Sequence, residues 1–499
     1  MSKKKTKIIR PKAITPKGFR DYFDSDVLKR QDLIEAICDI YQLYGFELLE
    51  SPAVETVEAL GKFLPDIDRP NQGIFSWQDE ENEWLALRYD LTAPLARVYA
   101  QYRNNLPVPY RRYSFGPVWR NEKPGLGRYK QFYQCDADTV GAYSTISDSE
   151  MCTMLANILE TVGVPKDKYI ISLNNRKILN GILEEIGILN SADLEENSKS
   201  RGVVLRSIDK IDRLGHQGVR ELLGPGRQDD SGDFTEGAML SKNQIDYVMK
   251  FVSLSESSNG KTLKELTNLV GKSSIGLLGI KELELIVELT ESAGFFEDRI
   301  KINPGTVRGL GYYTGSVFEA ELNIKGTNSD GTESEIGSVA GGGRYDDLVK
   351  RFTGQEVPAT GLSVGIDRLG LALNQLDVAN GLNRTGPVIV TIMDMDKILE
   401  YQKIVKDLRS SGIRAELFLG NPKDLGKQLK YADQRKSKLA IIAGSTEFEK
   451  KMVQIKDLEL GSRISETIKT NQEWKGQPAQ TEVAREDLVE QVKKMIMTD

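Results

Sequence analysis

The chain has 499 residues, 28% charged and 39% hydrophobic, with a formal net charge of −6, which is too long for one core and points to about two to four domains. It has no apolar run of about 18 residues, which excludes a membrane-spanning helix, and no apolar stretch follows the N-terminus, so secretion is not expected. The acidic balance argues against non-specific coating of DNA but leaves room for a local basic face.

The single histidine, His216, lies in a polar stretch, and Cys38, Cys135 and Cys152 lack metal-ligand spacing. Imidazole bases, histidine triads and histidine metal sites are therefore set aside. Catalysis must use carboxylates, arginines, tyrosines, backbone amides or the substrate's own groups. So few cysteines in a long chain fit a reducing, cytoplasmic setting.

In chain order, a basic N-terminal arm comes first, with Lys3, Lys4, Lys5, Lys7, Arg10, Lys12, Lys17 and Arg20 and no acid among them. It reads as a solvated tip or as an arm touching RNA backbone. Apolar spacing predicts a helix over 26–45, ended by Gly45, and a strand at Phe46–Leu49 stopped by Pro52. A strand over 84–92 and a helix over Pro94–Tyr102 follow. The aromatic run at 110–140 reads as a long hairpin whose loop holds Pro124–Gly127.

Residues 176–296, rich in Leu, Glu, Ser and Lys, read as a mostly helical insertion with a glycine-rich stretch at 224–237. Strands are expected at 307–322 and 336–345, then a strand and helix over 360–376. After a linker at 377–386, strands and helices alternate from Val388 in a βαβ rhythm that predicts a small α/β domain with a largely parallel sheet. The polar, weakly patterned end, 471–499, reads as a tail.

The chemistry concentrates in the hairpin. Alternation along a strand places Arg120 and Glu122 on one face, and Gln134, Asp136 and Asp138 on one face of the return strand. Unpaired charges are poor core material, so such a surface is either solvated or built to meet a polar ligand.

Arg-x-Glu on a strand, a loop with a second arginine and an aromatic return strand resemble motif 2 of class II aminoacyl-tRNA synthetases. Glu47–Glu55 resembles motif 1, the dimer-forming unit, and Gly361-Leu-Ser-Val-Gly-Ile-Asp-Arg368 resembles motif 3. Val307-Arg308-Gly-Leu-Gly-Tyr312-Tyr313 and Ala340-Gly-Gly-Gly-Arg344-Tyr345 resemble the two blocks peculiar to the histidyl-tRNA synthetase family. Leu87-Arg-Tyr-Asp90-Leu-Thr92, Pro16-Lys-Gly-Phe-Arg20-Asp21 and Lys427–Asp433 extend the resemblance over nearly the whole chain.

The resemblance implies an α+β catalytic domain on a mostly antiparallel sheet (1–175 and 297–376), interrupted by the helical insertion and followed by an α/β anticodon-binding domain at 387–470. It implies ligation of histidine to its tRNA through a histidyl-adenylate, with ATP and Mg²⁺, by a homodimer formed through the motif 1 region.

Residue by residue, the resemblance gives Arg120 the α-phosphate, Glu122 the adenine, this arginine or nearby magnesium, and Arg128 and Arg368 the γ-phosphate end. Arg308 would stand beside the α-phosphate and the substrate carboxylate. Asp90, Thr92 and Gln134 would hold the α-amino group; Asp138 and Tyr313 would read the two imidazole nitrogens, with Tyr312 and Tyr345 in the same pocket. One departure is Gly311, where family members often carry an acid; another is the loop Lys123–Gly127, which bears on recognition of the family's extra 5′ guanosine. In the last domain, Lys423, Lys427, Lys430, Arg435, Lys436 and Lys438 form a candidate RNA-facing group. The rival reading is a synthetase-like regulatory subunit of ATP phosphoribosyltransferase, which generally lacks the last domain and parts of the arginine set.

Overall fold

The computed structural model describes residues 11–61, 73–189, 198–228, 232–254, 256–307, 312–327, 331–376, 385–421, 424–460 and 479–497. The start of the basic arm, Arg308 and Gly311, Lys423 and most of the linker lie outside the described residues.

The aromatic run folds as expected into two paired antiparallel strands, Tyr110–Trp119 and Gln131–Val140. They sit inside an eight-stranded sheet ordered Glu47–Leu48, Tyr110–Trp119, Gln131–Val140, Ala359–Gly365, Glu333–Arg344, Ser316–Thr327, Tyr169–Asn175, Ile300–Ile302. Only the two edge pairings are parallel. The strand over 84–92 stops at Leu87, because Asp90 and Thr92 already belong to the entry of the Thr92–Tyr102 helix.

Alternation sorts the two faces of this sheet. Cys135 and Ala137 point into the main apolar core together with Ile37 and Tyr41 of the Asp24–Leu43 helix, where the Tyr41 hydroxyl donates to the Cys135 carbonyl at 2.9 Å. Gln134, Asp136 and Asp138 face the other way and line a cavity. The Ile146–Thr161 and Tyr169–Asn175 elements have no counterpart in the sequence reading, yet they supply much of the core through Met151, Leu155, Ile158, Ile171 and Leu173.

Arg344 ties these layers together. Its guanidinium reaches Asp148 Oδ2 at 2.8 and 3.0 Å, the Ala142 and Ser144 carbonyls at 3.1 Å and Ser147 Oγ at 3.1 Å. The glycine-rich block thus ends in a residue that clamps the start of the Ile146–Thr161 helix.

Residues 176–296 are mostly helical, with one short hairpin, Gly226–Gln228 and Phe234–Glu236. They share the core of the sheet: Ile178, Leu183, Leu283 and Ile286 join the same cluster as Phe318 and Leu362.

The chain divides into two units, Met1–Gly381 and Leu382–Asp499. The second has its own core and a sheet ordered Ala415–Leu417, Val388–Val390, Leu439–Ile442, Met452–Asp457, Gln480–Ala484. The first three strands are parallel and the last two antiparallel, so the sheet is mixed and not largely parallel. Part of the expected tail is also structural. Gln480–Ala484 completes this sheet, and Leu488–Met497 buries Leu488 and Val492 in its core.

Asp148→Ala would leave the buried Arg344 guanidinium with only the Asp346 carboxylate, at 3.4 Å. A loss of about 3–5 kcal/mol is expected, read as a lower urea midpoint of the first unit, and Arg344→Met should cost a comparable amount because it strands the buried Asp148 carboxylate.

Candidate active site

One end of the cavity is built from guanidinium groups. Arg120 follows the outgoing strand; its Nε donates to the Tyr89 carbonyl at 3.1 Å, and its plane lies 5.3 Å from the centre of the Phe132 ring. The hairpin loop turns tightly, Gly125 and Arg128 exchanging backbone bonds at 3.0 and 3.1 Å. Gly127 adopts φ +62°, and a Cβ there would stand 3.0 Å from Arg368 Cγ, so glycine lets the loop approach the Ile366–Gln375 helix.

Arg368 donates to the Ser338 carbonyl. Its pKa falls to about 10, by burial first, then by the cations of Arg128 and Arg120, against the pull of Glu319 and Glu122. Three guanidinium groups close enough to repel one another define a place for a polyanion.

Another part of the lining is acidic. Asp90 Oδ1 accepts from the Ala93 amide at 2.9 Å, while its buried Oδ2 has no hydrogen-bond partner among the described residues. Gln134 Nε2 donates to Ser363 Oγ at 2.7 Å and leaves its Oε1 likewise unsatisfied. Thr92 is buried beside them. These oxygens suit an ammonium group, which offers donors only.

Asp138 is held on both sides. Arg112 Nη2 stands 2.7 Å from one oxygen, and the Tyr345 hydroxyl donates to the other. On the neighbouring strand, a Cβ at Gly361 would come within 2.0 Å of Asp138 Oδ1, so only glycine admits this carboxylate. The rings of Tyr312 and Tyr313 lie 4.8 Å apart, and those of Tyr312 and Tyr345 5.9 Å apart. Burial pushes Asp90 and Asp138 above the usual carboxylate range. Asp136 is pushed up to about 7 by burial and then by Asp138, against Arg112 and Ser363.

Asp90, Thr92, Arg120, Glu122, Arg128, Gln134, Asp138, Tyr312, Tyr313, Tyr345 and Arg368 all line a single cavity of about 670 Å³. Every site residue expected from sequence is there except Arg308, which lies outside the described residues. Sequence reasoning missed Arg112, which is fully buried and also donates to the Leu91 carbonyl at 2.8 Å. The signal was available: on the Tyr110–Trp119 strand, alternation puts Arg112 on the face that leads to Arg120, while Arg111 turns away to Glu150 at 2.7 Å.

An antiparallel sheet with this hairpin and cation cluster, followed by a separate α/β unit, is the architecture of a class II aminoacyl-tRNA ligase. Residues 18–369 match the family model of histidyl-tRNA synthetase, and residues 388–495 match that of the anticodon binding domain. The chain belongs to the histidyl-tRNA synthetase family. It is 58% identical over 487 residues to the histidine–tRNA ligase of Cereibacter sphaeroides, covering 98% of each chain. It is 58% identical over 496 residues to that of Dinoroseobacter shibae, covering 99% of each. Among solved structures, the histidyl-tRNA synthetase of Nostoc sp. PCC 7120 superposes with a TM-score of 0.69 at 27% identity, covering 97% of this chain and 100% of that one.

The cation cluster makes a ligand-only prediction. Inorganic tripolyphosphate should bind the intact protein, and Arg368→Ala should weaken binding roughly 10–100-fold by calorimetry, the loss of a charge-assisted contact of about 1.5–3 kcal/mol.

Proposed function

We propose that this cavity joins histidine to ATP and then passes the histidyl group to tRNA, so that the chain works as a histidine–tRNA ligase. The observation that carries the reading is the arrangement of charge: Arg120, Arg128 and Arg368 gather at one end, while the open oxygens of Asp90 and Gln134 and the clamped carboxylate of Asp138 form the other. Histidine–tRNA ligation is also the activity named for relatives that match 98–99% of the chain.

In the first step the histidine carboxylate attacks the α-phosphorus in line and displaces pyrophosphate. That carboxylate is already ionised, so no protein base is needed, and positioning supplies most of the acceleration. Arg120 takes the α-phosphate, and Arg128 and Arg368 the γ-phosphate end. Their fixed positive charge meets the charge that spreads over the phosphoryl oxygens. The family resemblance of its block assigns Arg308 to the α-phosphate and the substrate carboxylate.

Asp90, Thr92 and Gln134 hold the ammonium group, and Asp138 accepts from a ring N–H between the walls of Tyr312, Tyr313 and Tyr345. A site built to hydrogen-bond both ring nitrogens rejects analogues strongly, which removes the need for editing.

Mg²⁺ would accompany the triphosphate. Glu122 and Glu319, hard oxygen donors on the cavity wall beside the arginines, are the groups suited to hold it, and it would neutralise phosphate charge there. Among the described residues no cluster of three or more His, Cys, Asp or Glu forms a self-sufficient metal cage, so the phosphates must supply ligands.

The second unit takes the tRNA anticodon. Of its basic group, Lys427, Lys430, Arg435 and Lys436 are exposed, with Arg435 sharing charge with Glu416 at 3.2 Å, whereas Lys438 is buried and is removed from the RNA-facing set. The protein acts in the cytoplasm as a homodimer through the motif 1 region. The sheet edge there leaves Leu48 57% and Phe115 43% exposed, an apolar surface that a second copy would cover. Described helices include none long and apolar enough to cross a membrane.

The protein should exchange pyrophosphate into ATP only when histidine is supplied, and Arg308→Ala should lose most of that exchange. Exchange driven by another amino acid would retire the specificity, and none with any amino acid would favour the regulatory reading. Light scattering should give twice the chain mass, and Leu48→Glu with Phe115→Glu should shift it to the monomer.

A further inference from the structure

The Pro16–Asp21 block supplies none of the cavity lining, yet it and Tyr22 touch both elements that carry Arg128 and Arg368. The Gly18 carbonyl accepts from the Lys130 amide at 2.8 Å, and the Lys130 carbonyl accepts from the Arg120 amide at 2.9 Å. Gly18 adopts φ +89°, and a Cβ there would stand 2.8 Å from Lys130 Cγ and 3.0 Å from Pro124 Cγ. Glycine therefore lets this segment lie against the hairpin loop.

Tyr22, just beyond the block, reaches the helix that carries Arg368. The ladder between Gln131–Val140 and Ala359–Gly365 ends at the Gln134–Gly365 pair, where the chain turns into the Ile366–Gln375 helix. The next amide along, that of Tyr133, donates instead to Asp367 Oδ2 at 2.7 Å. The other oxygen, Oδ1, accepts from the Tyr22 hydroxyl at 2.5 Å. One carboxylate in the first turn of the helix thus joins the opening segment to the return strand of the hairpin. Arg30 steadies this junction, its guanidinium 4.7 Å from the centre of the Tyr22 ring and 4.2 Å from that of Tyr133. Burial, and then the bond to Asp367, push the proton affinity of the Tyr22 hydroxyl up, so it stays a donor.

Resting on the proposed triphosphate site, we propose that Gly18–Tyr22 is a strap that sets the guanidinium cluster in place, with Tyr22 a positioning residue that acts on Arg368 through Asp367. Gly18 holds the loop of Arg128 by the backbone, and Tyr22 holds the first turn of the Arg368 helix by its hydroxyl.

Electrostatics gives the strap its purpose. Arg128 and Arg120 repel Arg368, so in the empty cavity nothing about the cations themselves keeps them together. Fixing their backbones beforehand means that an arriving polyanion need not order them, and its affinity rises accordingly.

Tyr22→Phe removes one oxygen from a half-buried ring and keeps the ring packing. In histidine-dependent pyrophosphate exchange by the full chain, it should raise KM for ATP roughly tenfold, with kcat and KM for histidine within about twofold of wild type, because the lost contact serves bound ATP and transition state alike. Binding of inorganic tripolyphosphate, read by calorimetry, should weaken by the same factor. Asp367→Ala should weaken it at least as much, and adding Tyr22→Phe to that variant should change nothing more. A tyrosine that only stabilised the fold would lower the urea midpoint and move both KM values together. Wild-type affinity of Tyr22→Phe for tripolyphosphate overturns the proposal, as do equal rises in the two KM values or additive losses in the double variant. The tyrosine variant decides alone where Asp367→Ala does not fold. A wild type that binds tripolyphosphate but exchanges with no amino acid would retire the ligase reading, and calorimetry of Tyr22→Phe would still judge the strap.

Discussion

A guanidinium with no exposed surface must find its counter-charge inside the protein, and Arg112 finds it in Asp138, 2.7 Å away. Isolated, either charge would be strongly destabilising; together they are tolerated only with fixed geometry and further hydrogen bonds. Arg112 adds one such bond, to the Leu91 carbonyl at the start of the segment that carries Thr92, while its Nε and Nη1 have no hydrogen-bond partner among the described residues. One side chain therefore spans from the strand that carries Asp138 to the turn that carries Asp90 and Thr92.

The remaining electrostatics follow from that anchor. Because the pair is neutral overall, whatever negative charge the acidic wall keeps comes from Asp90 and Asp136, both of which burial pushes toward the protonated form. Elsewhere in the lining, burial and then the cations of Arg128 and Arg120 lower the proton affinity of Arg368. A bipolar slot of this kind orients a zwitterion before any contact forms: ammonium to the acids, carboxylate toward the arginines. The orientation delivers the nucleophile to the phosphate end.

The sequence was informative where chemistry is written in residue type. Arg120, Gln134, Asp138 and Arg368 stand out as charges or amides set in strand-like or glycine-rich surroundings, and the structure brings them to one cavity. The hairpin was visible because alternation and a glycine-rich loop are local signals. What stayed hidden depends on distant partners. Arg112 sits in a Tyr-Arg-Arg-Tyr run, and nothing local says that Asp138 will neutralise it. The Ile146–Thr161 helix buries polar Asp148, which makes sense only beside Arg344, nearly two hundred positions away. The strand at Gln480–Ala484 reads as polar because it lies at a sheet edge beside Met452–Asp457.

The placement of Asp138 against Gly361 has one more consequence. On the proposed reading, the atoms that would distinguish one amino acid from another belong to mid-strand positions packed within the interior, not to adjustable rim residues. Any drift toward a different side chain must repack adjacent strands and strand a buried cation at the same time. Translational accuracy is thereby tied to the integrity of the protein itself: a variant that misreads its amino acid would tend to be removed as a poorly folded molecule before it could mischarge RNA.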